Sequence, residues 1–289
     1  MNKLAVGTVQ FGLPYGIANS SGQVSDKEVK KILELAENSA ITTLDTAIAY
    51  GESEAVLGRQ NLSSFSVITK LPEVPESEKD VAAWANQQLK GSLDRLHLSS
   101  LDSLLLHRPA QLVEPRGDTL YRQLQELKHQ GLVQRIGISI YSPEELDSLC
   151  KKFQFDVVQA PFNILDNRLA ETGWLKRLKN MGTSLHVRSV FMQGLLLMDR
   201  QQRPEKFARW SDTWERWEKW LQETGQPPLQ ACLRHVLSIP EIEKVVVGVD
   251  SAAQLNQIIK ASEGFAIPPP DNLTVQDKSL LNPSCWNSL

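Results

Sequence analysis

Four side chains that can exchange or hold a proton lie at the ends of three successive apolar runs. Asp45 and Tyr50 follow the run ITTL, Lys70 ends the run FSVITK, and His107 ends the run LDSLLLH. An ammonium group lowers the pKa of a nearby phenol, and a carboxylate can hold that ammonium charged and oriented. An imidazole can donate a hydrogen bond to a substrate oxygen or share a proton with the phenol. Together these groups could protonate a carbonyl oxygen while a hydride arrives at its carbon.

The strand-like runs must bring these side chains together. In a barrel of alternating strands and helices, catalytic side chains converge at the C-terminal strand ends, whereas the opposite end mostly serves stability. Each residue also has an ordinary interpretation, because a strand-end Asp often caps the next helix and the other three residue types are common in loops. Taken singly, each residue favours that interpretation. Their shared position at the same end of consecutive strands favours catalysis.

Eight short apolar runs alternate with amphipathic stretches along the chain. Most runs are nearly continuous in β-branched residues and leucine, as expected for parallel strands buried on both faces. The predicted strands are LAVGTVQ, ITTLDT, FSVITK, LDSLLLH, QRIGISI, FDVVQA, SLHVRSV and KVVVGV. With no Pro-, Gly- or Ser-rich linker between the β-then-α units, we predict one domain over residues 1–289, an α/β fold with a single (β/α)8 TIM barrel.

Helix boundaries are readable between these runs. Ser25 with Glu28, and Ser142 with Glu145, predict capping boxes at two helix starts. Helix ends are predicted just before three glycines, Gly131, Gly182 and Gly225.

Three segments depart from strict alternation: the loop FGLPYGIANSSGQ after the first strand, an enlarged connection over residues 195–228 after strand seven, and a proline-stiffened tail over residues 267–289. Connections of this length are usually functional, and we expect the tail to fold back over the barrel. Tryptophans recur at helical spacing in the enlarged connection, which favours packing over ligand stacking; they are Trp210, Trp214, Trp217 and Trp220.

Composition bounds the class of protein. The length of 289 residues is close to the roughly 250 typical of such a barrel. A net charge of −3 gives no reason to expect nucleic-acid binding, and no run approaches the roughly 18 apolar residues that would span a membrane. The start lacks a signal-peptide pattern. Cys150, Cys232 and Cys285 are far apart and without metal-ligand spacing, so we expect neither disulfides nor a metal site, and a cytoplasmic location.

The chain resembles an aldo-keto reductase. The resemblance covers about residues 3–265, and its most specific part is DTAIAYG followed by a strand-end lysine and by HRP. The matching segments are GTVQFG, LDTAIAYGESEAVLG, VITKLP, LLLHRP, GISIYSPEEL, VQAPFNILD, SVFMQGLL and VVVGVDSAAQL. The resemblance implies an NAD(P)H-dependent oxidoreductase with Tyr50 as general acid, Lys70 and Asp45 as its tuning pair, and His107 as the group that orients substrate or relays the proton.

The resemblance also implies a set of cofactor contacts. Ser139 and Gln159 match the residues that hold the nicotinamide carboxamide, and Asn163 lies near them in the sequence. Ser189 and Phe191 are candidates in the loop after strand seven. The segment Gly248–Gln257 matches the part that grips the adenosine phosphate. Its candidate contacts are Gly248, Ser251, Gln254 and Gln257.

Departures from the family pattern mark where this chain differs. Ile140 replaces a frequent asparagine, Ser189-Val190-Phe191 replaces Ser-Pro-Leu, and the N-terminal hairpin that often plugs the barrel is absent. Gly248 and Gln254 replace a basic pair that many relatives use against the 2′-phosphate, and Asp250 lies close by. A carboxylate repels a phosphate, so we predict only a weak preference for NADP(H) over NAD(H), with measurable use of both.

The resemblance implies an aldehyde or ketone substrate, including sugars and their derivatives, or the corresponding alcohol. Sparse Arg and Lys in the loops give no sign of a highly anionic substrate, and Phe11, Tyr15 and Trp286 are candidates for lining its pocket. Two alternatives remain open: a cofactor-binding sensor with little catalysis, and a barrel isomerase or aldolase in which Lys70 forms a Schiff base. The sequence does not predict the oligomeric state, because it contains no readable exposed heptad repeat or apolar edge.

Overall fold

Eight parallel strands, paired in the order of the sequence, close into a barrel in the computed structural model of the protein, which describes residues 2–19 and 21–289. The strands are β1 (Leu4–Gly7), β2 (Thr43–Asp45), β3 (Ser66–Leu71), β4 (Leu101–Leu106), β5 (Val133–Ser139), β6 (Val157–Pro161), β7 (Ser184–Arg188) and β8 (Ile242–Gly248). Every predicted strand overlaps one of them, so the TIM-barrel prediction is confirmed.

Helices follow the strands along the chain, and their apolar faces are buried against the barrel. The α-helices are α1 (Val9–Gly12), α2 (Asp26–Asn38), α3 (Ser53–Gly58), α4 (Val81–Leu96), α5 (Gly117–His129), α6 (Glu144–Lys152), α7 (Arg168–Glu171), α8 (Trp174–Asn180), α9 (Ser211–Thr224), α10 (Pro228–Leu237), α11 (Ala252–Ala261) and α12 (Lys278–Leu281). Short 3₁₀ segments occupy Pro109–Val113, Met192–Leu197, Arg200–Gln202, Glu205–Trp210, Asp271–Leu273 and Pro283–Ser288.

Only half of each predicted capping box forms. The Ser25 hydroxyl accepts a hydrogen bond from the Glu28 backbone N–H, but the Glu28 carboxylate accepts from the Ala252 N–H at 2.9 Å instead of returning to Ser25. Conversely, the Glu145 carboxylate accepts from the Ser142 N–H at 2.9 Å, whereas the Ser142 hydroxyl does not cap α6. The three helix-ending glycines are confirmed, and each has a φ between +66° and +74°.

The barrel interior is small and tightly filled. Ile68, Leu105 and Val157 form an apolar cluster separate from the main core between strands and helices. A Cβ at Gly137 would lie 2.1 Å from the Val157 carbonyl oxygen and 2.7 Å from Leu105 Cδ2, so only glycine fits there. The interior is therefore a packed core, and functional groups must lie at its two ends.

The tail folds back as predicted and packs on the enlarged connection. The Trp210 indole N–H donates to Asp277 at 2.9 Å, and the Lys206 ammonium donates to the Trp286 carbonyl at 2.8 Å. The four tryptophans of the connection are all buried, which confirms the packing interpretation. Trp286 and Phe11 are also buried in packing rather than lining a pocket, whereas Tyr15 is 41% exposed near the barrel mouth.

Charged residues occupy the N-terminal end of the barrel. Arg135 of β5 donates to Asp102 of β4 at 2.6 Å and to Glu243 of β8 at 3.1 Å, and His186 of β7 lies 3.3 Å from Glu243. We call these four residues the basal network. β1 begins at Leu4, and the basal network lies at this end of the barrel.

Candidate active site

Asp45 and Lys70 form a buried ion pair at the C-terminal end of the barrel. Asp45 is the last residue of β2, and the Lys70 Nζ in β3 lies 2.7 Å from its Oδ2 and 2.9 Å from the Thr46 carbonyl oxygen. The side chains are only 5% and 1% exposed. Burial acts to lower the pKa of Lys70, but Asp45 and Tyr50 outweigh it and the net shift is upward, so the lysine stays charged.

Tyr50 is held over this pair by a tightly packed loop. The Lys70 Nζ lies 5.1 Å from the centroid of the half-buried Tyr50 ring. A Cβ at Gly12 would lie 1.8 Å from the Tyr50 carbonyl oxygen, and Gly51 has φ +55° with its Cβ position 2.6 Å from the Gly12 oxygen. Glycine at both positions lets the Tyr50 loop contact the segment after β1 directly.

A buried group of hydroxyls supports the same loop from below. The Ser53 hydroxyl donates to the Thr8 carbonyl at 2.8 Å and lies 2.8 Å from the Thr8 hydroxyl and 3.0 Å from the Thr46 hydroxyl. All three residues are fully buried. These contacts join the ends of β1 and β2 to the start of α3, which fixes both Asp45 and Tyr50.

His107 follows β4 and completes the predicted set. Its ring meets the Tyr50 ring edge-on, with centroids 5.8 Å apart and an interplanar angle of 81°. Burial, together with the nearby Lys70 and Arg188 charges, lowers the pKa of His107 to about 4. The imidazole is therefore neutral at neutral pH and donates one hydrogen bond, which favours the orienting role over that of an acid.

Two of the predicted cofactor residues join the ion pair. The buried Gln159 donates from Nε2 to Asp45 Oδ1 at 2.7 Å, and the Ser139 hydroxyl donates to Gln159 Oε1 at 3.3 Å. Asn163 lies two residues beyond the end of β6 and joins two loops, since its Nδ2 donates to the Ser189 carbonyl at 3.1 Å. The floor of the site is thus one connected polar network.

The loop after β7 has an unusual backbone. Ser189, Met192 and Gln193 have φ values of +62°, +47° and +55°, a conformation that residues other than glycine rarely adopt. Gln193 Nε2 donates to the Tyr15 hydroxyl at 3.0 Å, which joins this loop to the loop after β1. Phe191, a predicted cofactor contact, is half-buried and packs against the core.

The predicted phosphate segment lies at the end of β8 and the start of α11. The Ser251 hydroxyl caps α11 by accepting from the Gln254 N–H at 3.2 Å, and Gln254 Oε1 accepts from the Asp250 N–H at 2.7 Å. Gln257 is exposed one turn further on. Burial raises the pKa of Asp250, whose carboxylate accepts from Asn19 Nδ2 at 3.2 Å. A cofactor contact for Gly248, Ser251, Gln254 and Gln257 stays a prediction.

Sequence reasoning missed two cations at the barrel mouth. The guanidinium carbon of Arg188 lies 4.8 Å from the centroid of the Tyr141 ring, and that of Arg108 lies 5.4 Å from it. Arg188 is the last residue of β7, and Arg108 directly follows His107. The positional rule that selected Lys70, a charge at the end of an apolar strand, would also have selected Arg188.

Neither a metal centre nor a membrane-spanning helix is found among the residues that the structure describes. Within residues 2–19 and 21–289, no group of three or more His, Cys, Asp or Glu side chains is placed to bind a metal ion. No helix in that same part of the chain has the length and apolar character to cross a membrane.

Fold and site together define a barrel protein with a Tyr–Lys–Asp–His set at its C-terminal end. A family model described as the aldo/keto reductase family matches residues 3–277. The chain belongs to this family.

Individual relatives are more distant. The chain is 27% identical over 166 residues to the aldo-keto reductase YhdN of Bacillus subtilis, a match that covers 52% of the chain and 48% of YhdN. It therefore aligns with about half the length of this relative. A second Bacillus subtilis protein, the uncharacterized oxidoreductase YqkF, is 24% identical over 284 residues, 91% of each chain.

Solved structures share the fold. An aldo-keto reductase from Bacillus halodurans in its holo form superposes with a TM-score of 0.73 at 21% identity, covering 96% of this chain and 90% of that one. A glycerol dehydrogenase from Gluconobacter oxydans gives a TM-score of 0.70 at 22% identity over 92% and 88% of the two chains.

Proposed function

We propose that the protein interconverts an aldehyde or ketone and its alcohol with NAD(P)(H), using Tyr50 as the general acid and base. The single observation that carries this proposal is the buried Lys70–Asp45 pair beneath the Tyr50 ring. A sensor that only binds cofactor has no need for this arrangement. A Schiff-base role for Lys70 is disfavoured because its ammonium is charged and already bound to Asp45 and to a backbone carbonyl.

The residues at the mouth fit a nicotinamide cofactor. Ser139 and Gln159 offer hydroxyl and amide groups for a carboxamide, and the Gln10 Oε1 beside Gly248 is a buried acceptor with no donor among the described residues. A ribose hydroxyl could supply that donor. When bound, the nicotinamide supplies or accepts the hydride.

The protein's own groups handle the proton. In reduction, the Tyr50 hydroxyl gives its proton to the carbonyl oxygen, and the Lys70 ammonium stabilises the phenolate that remains. Asp45 keeps Lys70 charged, and Gln159 holds the other carboxylate oxygen of Asp45 in place. Neutral His107 donates a hydrogen bond to the same carbonyl oxygen and so fixes its direction toward Tyr50.

The variant Tyr50→Phe tests the assignment of the acid. We expect turnover to fall by roughly 10²- to 10⁴-fold, because a general acid contributes about that much. NADPH binding, measured by quenching of protein fluorescence, should stay within about twofold, since the substitution removes only the hydroxyl and keeps the aromatic ring. Unchanged turnover on a panel of aldehydes would remove Tyr50 from this role. Failure of every aldehyde to oxidise bound NADPH in a single turnover would instead favour the sensor.

We propose that NADP(H) is only weakly preferred over NAD(H). The segment Gly248–Gln257 contains neither Lys nor Arg, and the Asp250 carboxylate lies at its start. The ratio of kcat/KM for NADPH and NADH checks this. A ratio above about a thousandfold, roughly 4 kcal/mol, contradicts it.

A further inference from the structure

Two arginines lie at the barrel mouth: Arg108 precedes β5 in the chain and Arg188 follows it. Both guanidinium groups stack on the ring of Tyr141. Tyr141 comes two residues after the end of β5, so the three side chains gather just beyond that strand end. Arg188 is half-buried and Arg108 is exposed. Stacking on an aromatic face holds a guanidinium in place while leaving its N–H edge available to a ligand.

Neither guanidinium is neutralised by the protein. No carboxylate among the described residues lies within 4.0 Å of Arg188 or Arg108, whereas Arg95 and Arg168 each bind one. Arg188 donates only to the Ile140 carbonyl at 3.0 Å and to the Ser189 hydroxyl at 3.3 Å within that part of the chain. A guanidinium has five N–H donors, so Arg188 retains donors for a ligand.

The mouth therefore has excess positive charge. Lys70, Arg188 and Arg108 all act on His107, and the Asp45 carboxylate is the counter-charge that acts on it there. A half-buried excess of cations is costly unless an anion arrives, and it attracts anions from solution.

The Arg188 side chain points away from the segment that is predicted to bind the cofactor phosphate. Its guanidinium leans from the end of β7 toward β5, where it binds the Ile140 carbonyl. The segment that begins at Gly248 lies at the end of β8, on the opposite side of β7. The charge thus faces the side of the mouth where β4 and β5 end, and there it acts on His107, which would contact the substrate carbonyl.

We propose that Arg188, assisted by Arg108, binds an anionic group of the carbonyl substrate, a carboxylate or a phosphate. This inference rests on the proposed reductase function and names the class of its substrate. The sequence itself shows no strong sign of a highly anionic substrate, because Arg and Lys are sparse in the loops. The two arginines are far apart in the sequence, and the barrel brings them together.

The test uses matched carbonyl pairs that differ in charge. The pairs are 4-carboxybenzaldehyde with its methyl ester, and glyceraldehyde 3-phosphate with glyceraldehyde; the first reports a carboxylate and the second a phosphate. Wild type should reduce the anionic member of at least one pair with the higher kcat/KM. Arg188→Met should lower kcat/KM for that anionic member by roughly tenfold to a hundredfold, and for its neutral partner by less than about threefold.

Two further variants serve as a control and as an independent test of the same site. Arg177→Met is the matched control, because Arg177 also stacks on an aromatic ring, Trp174 at 5.1 Å, but is 59% exposed and belongs to α8. It should leave both members of each pair unchanged. Arg108→Met, at an exposed position, should give a loss of roughly threefold confined to the anionic member, even if Arg188→Met fails to fold.

Several results would overturn the inference. They are equal losses on charged and neutral members, a weakened Kd for NADPH that accounts for the whole loss in Arg188→Met, or no preference of wild type for either anion. Good reduction of the neutral carbonyls in these cases would leave the proposed function standing. If wild type reduces no carbonyl of either pair or of the aldehyde panel, the proposed function fails and the anion site fails with it.

Discussion

The two ends of the barrel both contain buried or partly buried ion pairs, but the pairs are built differently. At the C-terminal end, Lys70 and Asp45 are almost fully buried, with side chains 1% and 5% exposed. At the N-terminal end, the side chains of Arg135 and Glu243 are 26% and 40% exposed. Lys70 uses two of its three N–H donors, on Asp45 and on the Thr46 carbonyl, whereas Arg135 donates to Asp102, Ser103 and Glu243.

The difference shows how one fold divides its charges between tasks. The pair at the mouth is desolvated and lies beneath the Tyr50 ring, where we propose that it serves catalysis. The basal network bridges β4, β5, β7 and β8 and is partly screened by water, so it serves strand closure. Variants at the two ends should therefore separate activity from stability.

The largest expected effect is that of Lys70→Met. Turnover should fall by about a thousandfold or more, because the phenolate loses its stabilising cation. The free energy of unfolding should also fall by about 3 to 5 kcal/mol, since Asp45 is left buried without its partner. Urea denaturation and steady-state kinetics measure the two effects. Adding Asp45→Asn should restore most of the stability; no recovery would mean that the buried charge is not the cause.

Arg135→Met should lower stability by a smaller amount and leave activity nearly unchanged. We expect a loss of about 1 to 2 kcal/mol in unfolding free energy, discounted because the network is partly exposed to solvent. The kcat/KM should stay within about twofold, because the basal network lies at the opposite end from Tyr50. Arg59→Met, which breaks an exposed pair with Asp26, is the control and should change neither quantity. A large drop in kcat/KM with unchanged stability would contradict the division of tasks.

The smallest effect concerns the acid side of the stability curve. His186 above all, with Ser184 and Arg135, lowers the pKa of Glu243 against the opposing effect of burial. A lowered pKa stabilises the fold above the ordinary value of 4.5, and that stabilisation is lost as pH falls toward the folded-state pKa. Wild type should therefore exceed Glu243→Gln by less than about 1 kcal/mol at pH 7, given the exposure of Glu243.

Urea denaturation at two pH values measures this difference. The advantage of wild type over Glu243→Gln should shrink between about pH 4.5 and pH 3. The control is Glu34→Gln, whose exposed pair with Lys30 should give no such trend. An advantage that grows on acidification would show that the sign is wrong.

Much of the fold and of the site is predictable from patterns within short stretches of sequence. Continuous apolar runs predict the strands, and a polar residue at the end of such a run marks the barrel mouth, which is how Asp45, Lys70 and His107 are found. Tyr50 lies five residues beyond Asp45 after the same run, and the family resemblance of the segment DTAIAYG supports its selection.

What could not be predicted depends on closure of the barrel. Arg135 and Glu243 are 108 residues apart, and their contact exists only once β5 and β8 belong to one ring. The same is true of Glu28, whose predicted return to Ser25 is replaced by a contact with Ala252. Local propensity selects such residues for capping or solvation, and the tertiary structure then assigns a different partner.

The most direct test of the central claim is the single-turnover rate of NADPH oxidation in Lys70→Met/Asp45→Asn. This double variant removes the mouth pair without leaving a buried lone charge, so the protein should fold and bind NADPH. With the best carbonyl from the matched pairs, the rate is predicted to fall about a thousandfold, while Arg135→Met retains the wild-type rate. A double variant that oxidises bound NADPH within about tenfold of wild type would contradict the account.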